Sequence, residues 1–326
     1  MSKFYDGFEN ISVKLIDFAG NDLARRVVMF GNLAEFYEGT HEYSEDNPEC
    51  IKIVNEIIEG KTFPKYAFEG HKVAFQVNDI SRVCLAQFTR EKGFFCSASS
   101  GVRPLTQEFV TPKSIYRRKD WMQKLENIQD QIEDLYIEML EAGIPFIDAR
   151  YFGLHAQTIS ICYTAEMMQW LRSCNTRTEN NIADEINYIY RLMLHELRKA
   201  IDEQVTDKLS RKLWDWLLTF ADKKKWFSNH TFNNDFERFK TPEDHVWEEP
   251  AHNDWRKSGW RYELEHMYYN RPELLLPGEE EMIAKWLSTE GELPSTYDEN
   301  YEKCPEQSIK QMDYYLTRKR AQNETV

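Results

Sequence analysis

Apolar and polar residues alternate in two short stretches of the chain. Ile11-Ser-Val-Lys-Leu-Ile-Asp17 and His71-Lys-Val-Ala-Phe-Gln-Val77 put every second side chain on one face, the period of a half-buried strand. Elsewhere the apolar period is three to four, which predicts helices. Residues 21–38 have this spacing, with Asn21 or Asp22 placed to cap the first turn. Residues 50–59 read as a helix closing near Gly60, and 79–90 as one anchored by Val83, Leu85 and Phe88. The clearest pattern covers 119–142: Leu125, Ile128, Ile132, Leu135, Met139 and Leu140 fall on one stripe, and Gly143 stands where a helix stops. Helices are also predicted over 156–175, 183–203, 211–225, 258–269, 279–288 and 306–320. Residues 40–49 are polar and read as a loop. Residues 92–112, rich in Gly, Ser and Pro, read as loop with short extended pieces. The mixture predicts an α/β (α+β) protein, a central sheet with flanking helices, followed by a mostly helical C-terminal extension. No internal repeat is visible. A boundary near 205–225 divides the chain into units 1–210 and 211–326, the second aromatic enough to be folded and docked.

Composition narrows the class. A chain of 326 residues makes one large domain or two. It carries 41 Lys and Arg against 55 Asp and Glu, a net charge of −14. That is a poor endowment for gripping a nucleic-acid polymer, which needs excess cations. Hydrophobic residues at 41% and aromatics at 14% suffice for a buried core. No run of apolar residues is long enough to span a membrane, and the first residues carry no apolar signal segment. The six cysteines are scattered without a C-x-x-C pair, which argues against a zinc site or a disulfide framework. His195-Glu196 lacks the second His of a zinc-protease helix, so no metal is expected. The default location is cytoplasmic, or the host cytoplasm for a viral protein.

The charge is uneven. Residues 241–306 carry a net −11, whereas residues 71–119 carry +6. The basic block is either a solvated face of charge pairs or an anion site, phosphate being the first choice of anion.

At the centre of that block stands Cys84-Leu-Ala-Gln87-Phe-Thr-Arg90-Glu91-Lys92, followed after seven further residues by Ser100-Gly101-Val-Arg103. This resembles the signature of the flavin-dependent thymidylate synthases: a Gln, an Arg-His-Arg triplet, then a Ser and an Arg. Further features agree: Phe68-Glu69-Gly70-His71 before the motif, Gly143-Ile-Pro145 leading to Ala149-Arg150, and Asn175-Thr-Arg177 before Glu185-Ile186. The resemblance runs over roughly residues 11–203. Residues beyond about 205 have no counterpart.

The resemblance implies the fold of that family and a homotetramer with sites between subunits. It implies FAD-dependent methylation at C5 of a pyrimidine nucleoside monophosphate, dUMP by default, with methylenetetrahydrofolate and NADPH as co-substrates. Gln87, Arg90, Ser100, Gly101, Arg103, Arg150 and Arg177 would bind the nucleotide. His71, Arg90, Glu91, Lys92 and Asn181 would meet the flavin. No enzyme nucleophile is expected, because the cofactor carries the chemistry. Residue types suit these roles: guanidinium forks grip phosphate, and a Ser-Gly pair offers a hydroxyl and an open N–H. Arg150 and Arg177 also fit as partners of surface acids, and His71 as a satisfied strand histidine.

The departures from the pattern are one extra residue in Phe68-Glu69-Gly70-His71, Glu91 for the middle His, Lys92 for the second Arg, Ala98 for an acidic residue two before the Ser, and Glu166 and Met168 for an Asn and an Arg. They suggest an altered substrate or product: dCMP, UMP or CMP, or a 5-hydroxymethyl nucleotide as used in viral nucleotide modification. A non-catalytic paralogue that binds nucleotide or protein is the third reading.

Overall fold

A computed structural model describes residues 3–31, 42–61, 68, 70–90, 94–98, 108–178, 184–222 and 260–290. Both alternating stretches form strands. β1 (Lys3–Asp6) comes first, then β2 (Ser12–Asp17), α1 (Asp22–Gly31), α2 (Pro48–Ile58), and β3 (Lys72–Ser81). α3 (Arg82–Phe88) follows directly and leads on to β4 (Phe94–Ala98). β5 (Glu108–Thr111), α4 (Lys113–Tyr116), the long α5 (Lys119–Glu141), α6 (Phe146–Ala149) and a 3₁₀ turn (Arg150–Phe152) come next. β6 (Thr158–Glu166), α7 (Met167–Arg177), α8 (Asp184–Gln204) and α9 (Lys208–Asp222) follow. The described C-terminal part is α10 (Trp260–Asn270), a 3₁₀ turn (Pro272–Leu274) and α11 (Glu279–Glu290).

One expected helix is corrected. Residues 158–166 are a strand, and the helix begins only at Met167. Thr158-Ile-Ser-Ile-Cys-Tyr-Thr-Ala-Glu is rich in β-branched residues and buries alternate positions, the period-2 behaviour of a strand. β6 is the central partner of a four-stranded sheet in the order β2-β3-β6-β4. It pairs antiparallel with β3 (Phe75 opposite Tyr163) and with β4 (Cys96 opposite Tyr163). β3 and β4 therefore run the same way with β6 between them, and α3 makes the crossover. A separate parallel pair joins β1 to β5.

The expected cap of α1 is also different. Asn21 turns its Oδ1 to the backbone N–H groups of Thr206 and Asp207, while the Ser210 hydroxyl accepts the N–H of Ala24 at 3.0 Å. The start of α1 is thus closed by a residue of α9.

The inner face of the sheet carries Val73, Phe75, Val77, Ile161, Tyr163 and Ala165. Trp170 and Leu171 of α7 and Ile189, Tyr190 and Met193 of α8 belong to the same core. The Phe75 and Trp170 rings lie 5.4 Å apart. Leu264, Met267, Leu274, Leu276 and Ile283 join that core from the C-terminal segment. α5 differs: of its 23 residues only Gln129 is buried, and Trp121, Ile128, Leu135 and Ile137 are exposed. No described helix is long and apolar enough to cross a membrane.

Candidate functional site

The candidate site begins with an irregularity in β3. The β3–β6 register slips between Val77 and Ile80, and Asp79 adopts a left-handed φ of 61°. Such a bulge re-aims the residues that follow it. Those residues are Ser81, which caps α3, and Arg82, its first member. Ser81 Oγ accepts the N–H of Cys84 at 3.0 Å. The backbone N–H groups of Arg82 and Val83 donate to the carbonyls of Gln157 and His155, which seats the helix start against the strand entering from the other side.

Cationic side chains gather at this end of the sheet. Arg82 is half-buried, and its Nε is withdrawn from water with no partner among the described residues. Its guanidinium is pulled below the ordinary value by burial and by the like charge of Arg150. Arg150 opens the 3₁₀ turn, whose next residues Tyr151 and Phe152 are 81% and 61% exposed. Arg177 ends α7, and its charge reaches the buried thiol of Cys84. Burial pushes that thiol well up, so it stays protonated and inert as a nucleophile. Gln87 is half-buried near the other end of α3, and Arg90, just past it, is exposed. Phe88 packs between Tyr163, tilted at 5.3 Å, and Tyr190, stacked at 5.8 Å, which pins the end of the helix that carries Gln87.

His71 lies at the opposite end of β3. Ten strand residues at ~3.3 Å each separate it from Arg82 by about 30 Å. It is only 1% exposed, neither ring nitrogen has a partner among the described residues, and burial pulls its pKa down to about 4. β4 starts at this same end, with Phe94 opposite Ala165 and Ala165 opposite Val73. Glu91, Lys92, Ser100, Gly101, Arg103 and Asn181 lie outside the described residues.

Two of the departures have local structural roles. Both carboxylate oxygens of Glu166 cap α7, accepting the N–H groups of Met168 and Gln169 at 3.0 Å each. Met168 is buried in the core. Sequence reasoning passed over Ser81, Arg82 and Glu185 as site residues. The signal available for Ser81 was its place immediately before an apolar helical run. Glu185 was legible only as part of a motif. A groove of about 220 Å³ between β2 and α8, lined by Lys14, Phe18, Glu196 and Lys199 among others, contains none of the candidates. No group of metal-ligating side chains is found among the described residues.

Fold and site together define a mixed α/β protein with arginines converging beside a short, capped helix at one end of an antiparallel sheet. Residues 22–201 match the family described as thymidylate synthase complementing protein, and the chain belongs to that family, the flavin-dependent thymidylate synthases. A search of curated proteins finds no match. Among solved structures, the UMP/dUMP methylase PolB from Streptomyces cacaoi, in a crystal structure with 5-Br dUMP, aligns with 65% of this chain and 97% of its own. The identity there is 15% and the TM-score 0.49.

Proposed function

We propose that this protein binds a pyrimidine nucleoside monophosphate, dUMP by default, and methylates C5 of its base with FAD, methylenetetrahydrofolate and NADPH. The observation that carries this reading is the grouping of Arg82, Arg150 and Arg177 beside the Gln87 helix in a chain of this family. The arginines supply the positive, fork-shaped donors a phosphate needs. Gln87 offers a carbonyl and an amide to a base edge.

Toward the cofactor, the described residues are His71 and Arg90. Their chemistry fits a flavin: two unpartnered imidazole nitrogens and one exposed cation. Bound FAD supplies the hydride and mediates the one-carbon transfer. His71 holds no proton to give at neutral pH beyond its single N–H, so its role is hydrogen bonding rather than charge. The apolar stripe left open on α5 supports a homotetramer with shared sites.

A second reading, methylation or hydroxymethylation of another pyrimidine nucleotide, is favoured by Glu166 and Met168. Committed to a cap and to the core, they leave the base pocket with different lining. Incubating the purified protein with dUMP, dCMP, UMP or CMP, reduced folate and NADPH, and weighing products by mass spectrometry, separates the two. A protein that stays colourless after incubation with FAD overturns both and leaves the non-catalytic paralogue. Arg177→Ala is expected to weaken dUMP binding by about 2–5 kcal/mol, read by calorimetry. Unchanged affinity removes Arg177 from the site.

A further inference from the structure

The group that ties the two halves of the cationic end together is a carboxylate. Glu185 stands in the first turn of α8, eight residues after Arg177. Its Oε1 accepts the backbone N–H of Ser81 at 2.5 Å, and its Oε2 accepts the Ser81 hydroxyl. That hydroxyl in turn accepts the N–H of Cys84. A run of hydrogen bonds therefore leads from the first turn of α3, through Ser81, to α8. α3 is seven residues long, too short to hold a helical conformation or direction by itself. Its direction is set at its two ends. Phe88 is fixed between two tyrosines at one end, and Ser81 is held by Glu185 at the other.

We propose that Glu185 is a positioning residue for the nucleotide site: by holding Ser81 it fixes the start of α3, and with it the placement of Arg82 and Gln87 relative to Arg177. The inference rests on the nucleotide reading above. The titratable group facing this carboxyl is the Cys84 thiol of α3, which in turn feels the charge of Arg177 from α7. Burial pushes the Glu185 carboxyl up to about 7, and the two Ser81 hydrogen bonds pull against that rise. Ionised, it accepts both Ser81 bonds. Protonated, one oxygen becomes a donor and the Ser81 hydroxyl must turn. The brace is therefore firmest above neutrality.

The test uses the full chain and the variants Glu185→Ala, Glu185→Gln and Ser81→Ala, with Gln87→Ala as a control that keeps the brace. Calorimetry measures dUMP affinity between about pH 6 and about pH 8, and amide exchange follows residues 84–88. Glu185→Ala is expected to weaken dUMP by roughly tenfold or more and to speed exchange of α3 amides, with Glu185→Gln restoring most of the protection. The rise of affinity with pH should vanish in Glu185→Gln and persist, from a weaker base, in Gln87→Ala. Native α3 protection in Glu185→Ala overturns the proposal. If Glu185→Ala fails to fold, native α3 protection in Ser81→Ala overturns it instead. Wild-type protein that ignores dUMP refutes the nucleotide reading, while the exchange data still decide whether Glu185 holds α3.

Discussion

Burial moves the titratable side chains at the two ends of β3 in opposite directions. The Glu185 carboxyl is raised from an ordinary value near 4.5 to about 7. Its contribution to stability is present in full below pH 4.5 and is lost as pH climbs through 7. His71 falls from 6.5 to about 4. Its contribution is present above 6.5 and is lost as pH drops toward 4, because the unfolded chain takes up the proton first. Over the interval they share the two slopes oppose each other. Denaturant titrations at several pH values should show Glu185→Gln gaining stability as pH rises through that interval, and His71→Gln losing it. A conformational prediction concerns Gly7. It sits at a left-handed φ of 68°, and a Cβ there would meet Lys113 Cγ at 2.8 Å and Glu263 Oε1 at 3.0 Å. Lys113 is 2% exposed and pairs with Asp6 and Glu9, so the neighbour cannot easily yield. Gly7→Ala should destabilise by about 1–3 kcal/mol in a thermal melt. Residue type alone gave no hint of either effect, since both come from what the fold stacks around the side chain.

Among the elements, those with a strong single period were legible and those defined by partners were not. α5 reads almost to the residue because its apolar stripe is long and ends at Gly143, whose φ is 83°. β6 misread as helix because it runs without a turn into α7, whose helical pattern fills the second half of the predicted span. Thr158 and Ile159 are buried by β3 and not by their own sequence neighbours. α5 also carries a prediction at this scale. Trp121, Ile128 and Leu135 recur every seven residues on an exposed surface, the spacing of helices that pack side by side. Ile128→Glu with Leu135→Glu should shift the protein to a smaller species in sedimentation while leaving its far-ultraviolet dichroism intact. An unchanged sedimentation coefficient would show that this face is not the contact between copies.

For the whole molecule, the C-terminal segment lies beyond the matched family region of residues 22–201 but is bound to it by charge as well as by apolar packing. Arg191 of α8 and Glu279 of α11 are both 0% exposed and paired through two hydrogen bonds of 2.5 and 2.9 Å. Asn187 and the carbonyl of Leu274 take further guanidinium donors. Glu279→Ala strands the arginine in the core and should cost about 3–5 kcal/mol in denaturant unfolding. Replacing both partners with apolar residues of similar volume should recover much of that loss. The sequence showed this segment to be acidic and aromatic. It could not show that one of its carboxylates is an internal counter-ion, because the partner lies 88 positions away. The sheet has a temporal consequence as well. Among the described residues, β3 and β4 are laterally joined only through β6, which is encoded some sixty residues after β4. A growing polypeptide therefore holds an open slot on the ribosome until that strand emerges, a wait on the order of ten seconds at ordinary elongation speeds. During that interval the exposed edges of β3 and β4 invite mispairing, so early arrest of synthesis should yield aggregating fragments rather than a smaller folded protein.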